Sequence, residues 1–422
     1  MQEIVQISLV FFVVLMMSLL MRILKQPLII GYIISGVLIG LFFHFSEATS
    51  SLKIFSQFGI AFLLFSIGLG LNPKVIKEVG KVSLITGIGQ IIFTSVIGFF
   101  ICKILGFSNI ASLYISIALT FSSTIIIMKL LSDKDALEKL YGRIAIGFLL
   151  VQDLVAVIII IFISSLGNLS KTGDIFLSIL LKGVIVIFLL FFVSKYVFSK
   201  LESFFASSQE FLFVFSIVFG LGVASLFEYI GLGIEVGALI AGVVLSSTSF
   251  SMDVSSKLKP LKDFFLISFF VLLGISMKIE GIENLFLPVV IFSIFILIGN
   301  PLIVIILMGL LGYSKKTSFM AGLTVAQISE FSLILILMGV SKGHLVMEKI
   351  GDSLVHIPSL VTLVGLITIA GSTYMIVYSE KIYRFLEKPL SFFEKKKIKE
   401  EEVEGKEYEY FLFGENRIGF SI

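Results

Sequence analysis

Tryptophan is absent from this 422-residue chain, cysteine occurs once and histidine three times. The lone Cys102 excludes an internal disulfide framework and any multi-cysteine metal site. Three histidines without a His-Glu-x-x-His run argue against an intramembrane zinc protease. Charge is scarce as well: 14% of residues are Asp, Glu, Lys or Arg, against 57% hydrophobic ones. A chain with that balance and repeated apolar runs is a helical membrane protein. With no Trp, Tyr and Phe must supply any interfacial aromatic belt. The first apolar stretch has neither the basic start nor the cleavage pattern of a signal peptide, so it is read as a retained helix.

Thirteen apolar runs are candidate spans: 4–21, 27–43, 52–71, 82–105, 111–131, 144–166, 176–198, 211–227, 233–245, 264–277, 285–311, 319–340 and 360–378. The ninth and tenth are short for a crossing. The loops after spans one, three, five, seven, nine and eleven hold fourteen Lys and Arg residues, whereas the intervening loops hold four. That asymmetry puts the amino terminus outside and the basic carboxyl tail in the cytoplasm of a multi-pass cell-membrane protein.

Spans five and twelve are interrupted by small and polar residues, Ala118-Leu119-Thr120-Phe121-Ser122-Ser123-Thr124 in one and Gly322-Leu323-Thr324-Val325-Ala326-Gln327-Ile328-Ser329-Glu330 in the other. They lie seven spans apart and therefore cross in opposite senses. Matched polar breaks in oppositely oriented halves point to a transporter with inverted repeats and broken helices at the midplane. The plainer reading is that each hydroxyl bonds back to its own helix. The expected fold is thus an all-α polytopic membrane protein of about thirteen helices with two broken, crossing helices.

Asp153 stands alone between Leu149-Leu150-Val151-Gln152 and Leu154-Val155-Ala156-Val157-Ile158, near the middle of span six. A carboxylate there costs about 3 kcal/mol on insertion scales, so it binds a cation or proton or pairs internally.

The runs Phe121-Ser122-Ser123-Thr124-Ile125, Gln152-Asp153, Phe269-Phe270-Val271-Leu272-Leu273-Gly274-Ile275-Ser276-Met277 and Ala326-Gln327-Ile328-Ser329-Glu330-Phe331, in this order, resemble the monovalent cation:proton antiporter-2 family. Within it the chain is similar to Kef-type and related exchangers over nearly its whole length. The resemblance implies a homodimer, each subunit having a dimerisation scaffold and a mobile core, that exchanges sodium or potassium for protons by alternating access. It also implies that Asp153 carries transported cation or proton in turn, with the hydroxyls of Ser122, Ser123 and Thr124 close by. Elementary chemistry agrees with that role. Removal from water favours the neutral carboxyl and a nearby cation favours the carboxylate, so the two ions exclude each other. Gln152, Thr124 and backbone carbonyls in the breaks suit a hard monovalent cation.

Two departures bear on stoichiometry. Gln152 stands where some members have a second acid, and Asn300 stands where electrogenic relatives carry a lysine. One-for-one electroneutral exchange follows as an expectation. Asn300-Pro301 also reads as a helix kink whose freed backbone groups the Asn side chain satisfies. Glu330, with Gln327 beside it, lies in the second break and is expected to be a counter-charge to Arg143, which ten helical residues put roughly 15 Å from Asp153. Glu235 is expected in a solvated funnel.

Residues 1–387 form the expected exchanger domain and 388–407 a cytoplasmic linker. Residues 408–422 resemble the first strand and glycine turn of a nucleotide-binding regulatory domain, too short for a nucleotide site within these residues. No cofactor, no nucleic-acid partner and no enzymatic chemistry are expected; the partners are Na+ or K+, H+, lipids and a second subunit. Sodium is preferred over potassium because that regulatory domain is incomplete. The alternatives are a ligand-gated potassium efflux channel of Kef type, against which the absence of a Thr-Val-Gly-Tyr-Gly filter argues, and a membrane sensor that does not transport.

Overall fold

A computed structural model describes residues 2–42, 46–70, 80–137, 139–166, 185–198, 200, 208–277, 282–345, 347–350 and 353–394. These are almost entirely helical. In chain order the helices are α1 (Gln2–Ile23), α2 (Leu28–Phe42), α3 (Ser46–Gly70), α4 (Lys81–Ile104), α5 (Asn109–Ala118), α6 (Thr124–Ser132) and α7 (Leu140–Leu166). Residues 185–193 form α8, which ends in a π turn at Ser194–Phe198. Then come α9 (Gln209–Ile230), α10 (Ile234–Ser246), α11 (Ser251–Ile275), α12 (Ile282–Ile294), α13 (Asn300–Leu310), α14 (Lys315–Leu323), α15 (Glu330–Ser341), α16 (Ile357–Val377) and α17 (Ser379–Leu390). Seven helices among the described residues are long and apolar enough to cross a membrane.

The second half of the chain repeats the first at an offset of 206 residues, the separation that also joins Thr94 to Asn300 in a hydrogen bond. Gly106 and Gly312 both take left-handed backbone, at φ 88° and 89°, and open the same Gly-aromatic-Ser turn before a broken helix. Ser108 and Ser314 cap the first half-helices, α5 and α14. Ser123 and Ser329 cap the second halves, α6 and α15. Each serine hydroxyl accepts an N–H that the first turn of a helix leaves without an internal partner. Four short helices therefore begin where their serines stand.

Glycines repeat in the same register. Gly36 of α2 lies against Gly274 and the Val271 carbonyl of α11, and Gly242 of α10 against Gly68 and the Phe65 carbonyl of α3. A Cβ at any of these four positions would overlap the facing backbone. Small residues let membrane helices approach to backbone contact, and here they do so at two equivalent crossings. The inverted repeat is thus visible in packing as well as in the matched breaks.

Three features differ from the sequence reading. The short tenth span is the end of a 25-residue helix, α11, whose basic first half, including Lys257, Lys259 and Lys262, reads as loop by charge alone. A two-stranded antiparallel hairpin, Glu348–Ile350 with Ser353–Val355, lies between α15 and α16. Helix α17 runs through Leu390, so the first residues of the expected linker are helical. The first nine residues of span seven, most of the linker, and all of the expected regulatory segment 408–422 lie outside the described residues.

Candidate ion-exchange site

At the first break, α5 stops at Ala118 and α6 restarts at Thr124; at the second, α14 stops at Leu323 and α15 restarts at Glu330. The two restarts face each other. Ser123 donates its hydroxyl to Glu330 Oε1 at 2.9 Å while accepting the Ile126 amide, and Ser329 donates to Glu330 Oε2 at 3.1 Å. Thr124 donates to Asp153 Oδ2 at 2.9 Å. The first turns of two half-helices, positive at their amino ends, thus converge where both buried carboxylates stand. Glu330 and Asp153 are thus held by adjacent residues, Ser123 and Thr124.

The carboxyl ends of α5 and α14 converge on a different group. Asn300 donates its side-chain amide to the carbonyls of both Leu119 and Val325 at 3.4 Å and accepts from Thr94 at 2.8 Å. Leu119 and Val325 are themselves equivalent in the repeat. One neutral amide therefore answers two negative helix ends, matching two carboxylates at two positive ones. The expected kink is a π turn at Phe295–Gly299, and the Asn300 side chain serves the two breaks across from it.

A polar relay ties the Asp153 helix to these ends. The Ser122 amide donates to Gln152 Oε1 at 3.2 Å, Gln152 donates to Gln90 Oε1 at 2.6 Å, and Gln90 donates to Thr94 and to the Thr120 carbonyl at 3.1 and 3.2 Å. In the other half the Ile328 amide meets Thr368 Oγ1 at 3.4 Å, so Thr368 takes toward the second break the part that Gln152 takes toward the first. Gln327 contacts the Ser123 carbonyl at 3.5 Å and accepts from Ser372 at 2.8 Å. Gln152 and Gln90 are fully enclosed, and Asp153 is buried beside them with 9% exposure.

The fold therefore brings together Asp153, Gln152, Thr124, Ser123, Ser122, Glu330, Asn300 and Gln327. The Ser122 hydroxyl is buried with no hydrogen-bond partner among the described residues. Arg143 is not part of the cluster: it lies exposed on α7 and forms no salt bridge among the described residues, while hydroxyls hold the Glu330 oxygens. The expected Glu330–Arg143 pair is thus replaced by hydrogen bonding across the break. Glu235 is half-buried in the first turn of α10. Gln90, Thr94, Thr368 and Ser372 escaped the sequence reading. A lone Gln within the apolar run of α4 was the available signal, since both ends of a buried amide need partners. Among the described residues no group of three or more His, Cys, Asp or Glu forms a site for a tightly ligated metal. The donors are oxygens of hydroxyls, amides and carboxylates, suited to a hard cation.

The model of the family described as "Sodium/hydrogen exchanger, transmembrane" matches residues 8–376. The chain belongs to this sodium/hydrogen exchanger family. Its relatives in the family include K(+) efflux antiporter 4 of Arabidopsis thaliana, 26% identical over 77% of this chain and 56% of that protein. The putative cation/proton antiporter YbaL of Escherichia coli is 26% identical over 86% of this chain and 64% of that protein. The glutathione-regulated potassium-efflux system protein KefC of Shigella flexneri is 30% identical over 72% of this chain and 50% of that protein. The exchanger chain thus spans half to two thirds of the length of these relatives. The solved structure of the sodium proton antiporter MjNhaP1 from Methanocaldococcus jannaschii is similar in fold, with a TM-score of 0.50, 18% identity and coverage of 93% of this chain and 99% of that one.

Proposed function

We propose that this exchanger-family chain is a secondary antiporter, not an enzyme, which moves a monovalent cation against protons by alternating access. The observation that carries the proposal is the Thr124–Asp153 hydrogen bond at the crossing of the two breaks. It sets an ionisable oxygen among hydroxyl and carbonyl donors in a place where a lone charge is costly. Asp153 binds cation or proton in turn, and Thr124 with the Ser122 hydroxyl, which has no partner among the described residues, supplies further ligand oxygens. Ser123, Gln152, Gln327 and Asn300 hold the breaks in register. Glu330 adds negative charge and favours a cation over a neutral solute. Coupling follows if the core moves only when Asp153 is neutralised by one ion or the other.

Asn300 cannot titrate, so a single exchanging carboxylate gives one cation per proton. Two of the three sequence relatives bear potassium in their names and the solved neighbour sodium, so potassium is the first ion to offer and sodium the second. The reading includes a homodimer in the cell membrane with the amino terminus outside, a transmembrane unit over residues 1–387, a cytoplasmic linker at 388–407, and 408–422 as the start of a regulatory domain.

Reconstitution into proteoliposomes tests it. A potassium or sodium gradient imposed without a membrane potential is expected to drive an opposite proton flux with no accompanying current. Cation flux without proton movement would favour a channel, and potential-driven exchange would reject electroneutrality.

A further inference from the structure

Helix α17 lies along one face of the transmembrane unit. It begins just beyond the end of α16 at Val377, and the turn after it brings the Phe393 carbonyl against Gly309 at the end of α13. Over 12 residues it extends about 18 Å. Its residues and those of the turn at Ser391–Phe393 that follows it separate into three stripes. Tyr383 and Leu390 are buried, with Ile382, Leu386 and Phe393 packed beside them on the core. Glu380, Glu387 and Glu394, seven apart, turn toward the start of α14. Glu380 pairs with Lys316 at 3.7 Å, Glu387 with Lys315 at 3.6 Å, and Glu394 accepts the Lys315 amide at 3.0 Å.

The third stripe faces outward and combines Lys381, Arg384 and Lys388 with Phe385 and Phe392. The acids of the helix are committed elsewhere, and among the described residues Arg384 and Lys388 form no ion pair. Like charges three and four residues apart repel on a helix unless an anion lies over them. Phe385 and Phe392 are 85% and 87% exposed, far more than water favours for two aromatic rings in line. Tyr374 and Tyr378, also exposed and stacked on each other, stand at the end of α16, where interfacial aromatics are expected, and Lys381 lies 5.6 Å from the Tyr378 ring centroid.

We infer that this outward stripe is a binding site for anionic phospholipid headgroups of the leaflet at whose surface α16 ends. Three cations meet phosphate at the depth where the two phenylalanines enter the acyl boundary, the pattern of an interfacial helix. The inner stripes carry the consequence into the core. Helix α17 grips the first residues of the second broken helix, and Lys134, just past α6, bonds the Ile376 carbonyl and the Ser379 hydroxyl at 2.7 Å each. Lipid bound outside thus steadies a helix that touches both broken helices.

The full chain, purified in detergent and incubated with equimolar phosphatidylglycerol and phosphatidylcholine, tests the inference by the lipid it retains. Wild type is expected to enrich phosphatidylglycerol. Lys381→Gln/Arg384→Gln/Lys388→Gln is expected to cut that enrichment by about tenfold or more. The charge-matched control Lys257→Gln/Lys259→Gln/Lys262→Gln is expected to leave it in place. If the first variant fails to fold, the wild-type enrichment is followed against salt, where screening is expected to abolish it. Equal retention of both lipids by wild type, which would leave the stripe to an acidic protein, overturns the inference. So does undiminished enrichment in the first variant or at high salt.

Discussion

Ser123 reaches across from the cap of α6 to Glu330 at the first residue of α15, closing a 2.9 Å hydrogen bond between the two broken helices. The same hydroxyl caps α6, so one oxygen fixes a helix end and a carboxylate together. Ser123→Ala is expected to cost about 1–3 kcal/mol, from a lost cap and a buried carboxylate oxygen left with fewer donors. Glu330→Gln retains an acceptor for Ser123 and is expected to fold. Thermal unfolding of the two variants in detergent checks the order, with Ser123→Ala the less stable.

Asn300 serves three partners with no exposure to solvent. Asn300→Leu strands the carbonyls of Leu119 and Val325 and the hydroxyl of Thr94, and is expected to destabilise by roughly 3 kcal/mol or more. Thr94→Val, which removes one of those bonds, is expected to cost less. The midpoints of thermal unfolding rank the two.

The glycine crossings carry a symmetry prediction. Gly36→Ala and Gly242→Ala occupy equivalent positions and drive a methyl into equivalent backbone, Val271 in one case and Phe65 in the other. Each is expected to destabilise by about 1–3 kcal/mol or more, and by similar amounts. Gly222→Ala, where an added Cβ meets nothing, serves as the control. Folded yield and melting temperature provide the comparison.

Much of the site was legible because membrane helices rarely tolerate what these contain. Asp153 and the two polar breaks stand out against apolar runs, and the order of four motifs carried the family resemblance. The repeat was inferred from paired breaks, but its 206-residue register was missed, although Leu105-Gly106-Phe107-Ser108 and Leu311-Gly312-Tyr313-Ser314 spell it. Gln90 and Thr94 were missed for another reason: Gln90 turns toward Gln152 and Thr94 toward Asn300 only once α4 packs on α7 and α13. The Glu330–Arg143 pairing failed on the same ground, since the distance from Asp153 to Arg143 along α7 does not say which helix packs beside Arg143. Charge misplaced the start of α11, because a helix that leaves the apolar layer can stay helical while turning basic.

Competition at one carboxylate predicts a pH dependence. In the range where the proton-bound form prevails, each unit of acidification is expected to raise the apparent KM for the cation about tenfold at constant maximal rate, because the competent fraction falls in that proportion. Thr124→Val, which keeps shape and removes the hydroxyl at Asp153, is expected to weaken cation affinity several-fold at fixed pH. Initial exchange rates against cation concentration at several pH values check both; a KM indifferent to pH would argue for separate sites.

The central claim is that one buried carboxyl group carries both ions, and comparing Asp153→Asn with wild type in proteoliposomes tests it most directly. The asparagine keeps an acceptor for Thr124 and loses only the exchangeable charge. The expected result is a cation-driven change in lumenal pH with wild type and none with a variant that elutes and melts as a folded protein. Wild-type rates of proton counterflow through Asp153→Asn would contradict the account.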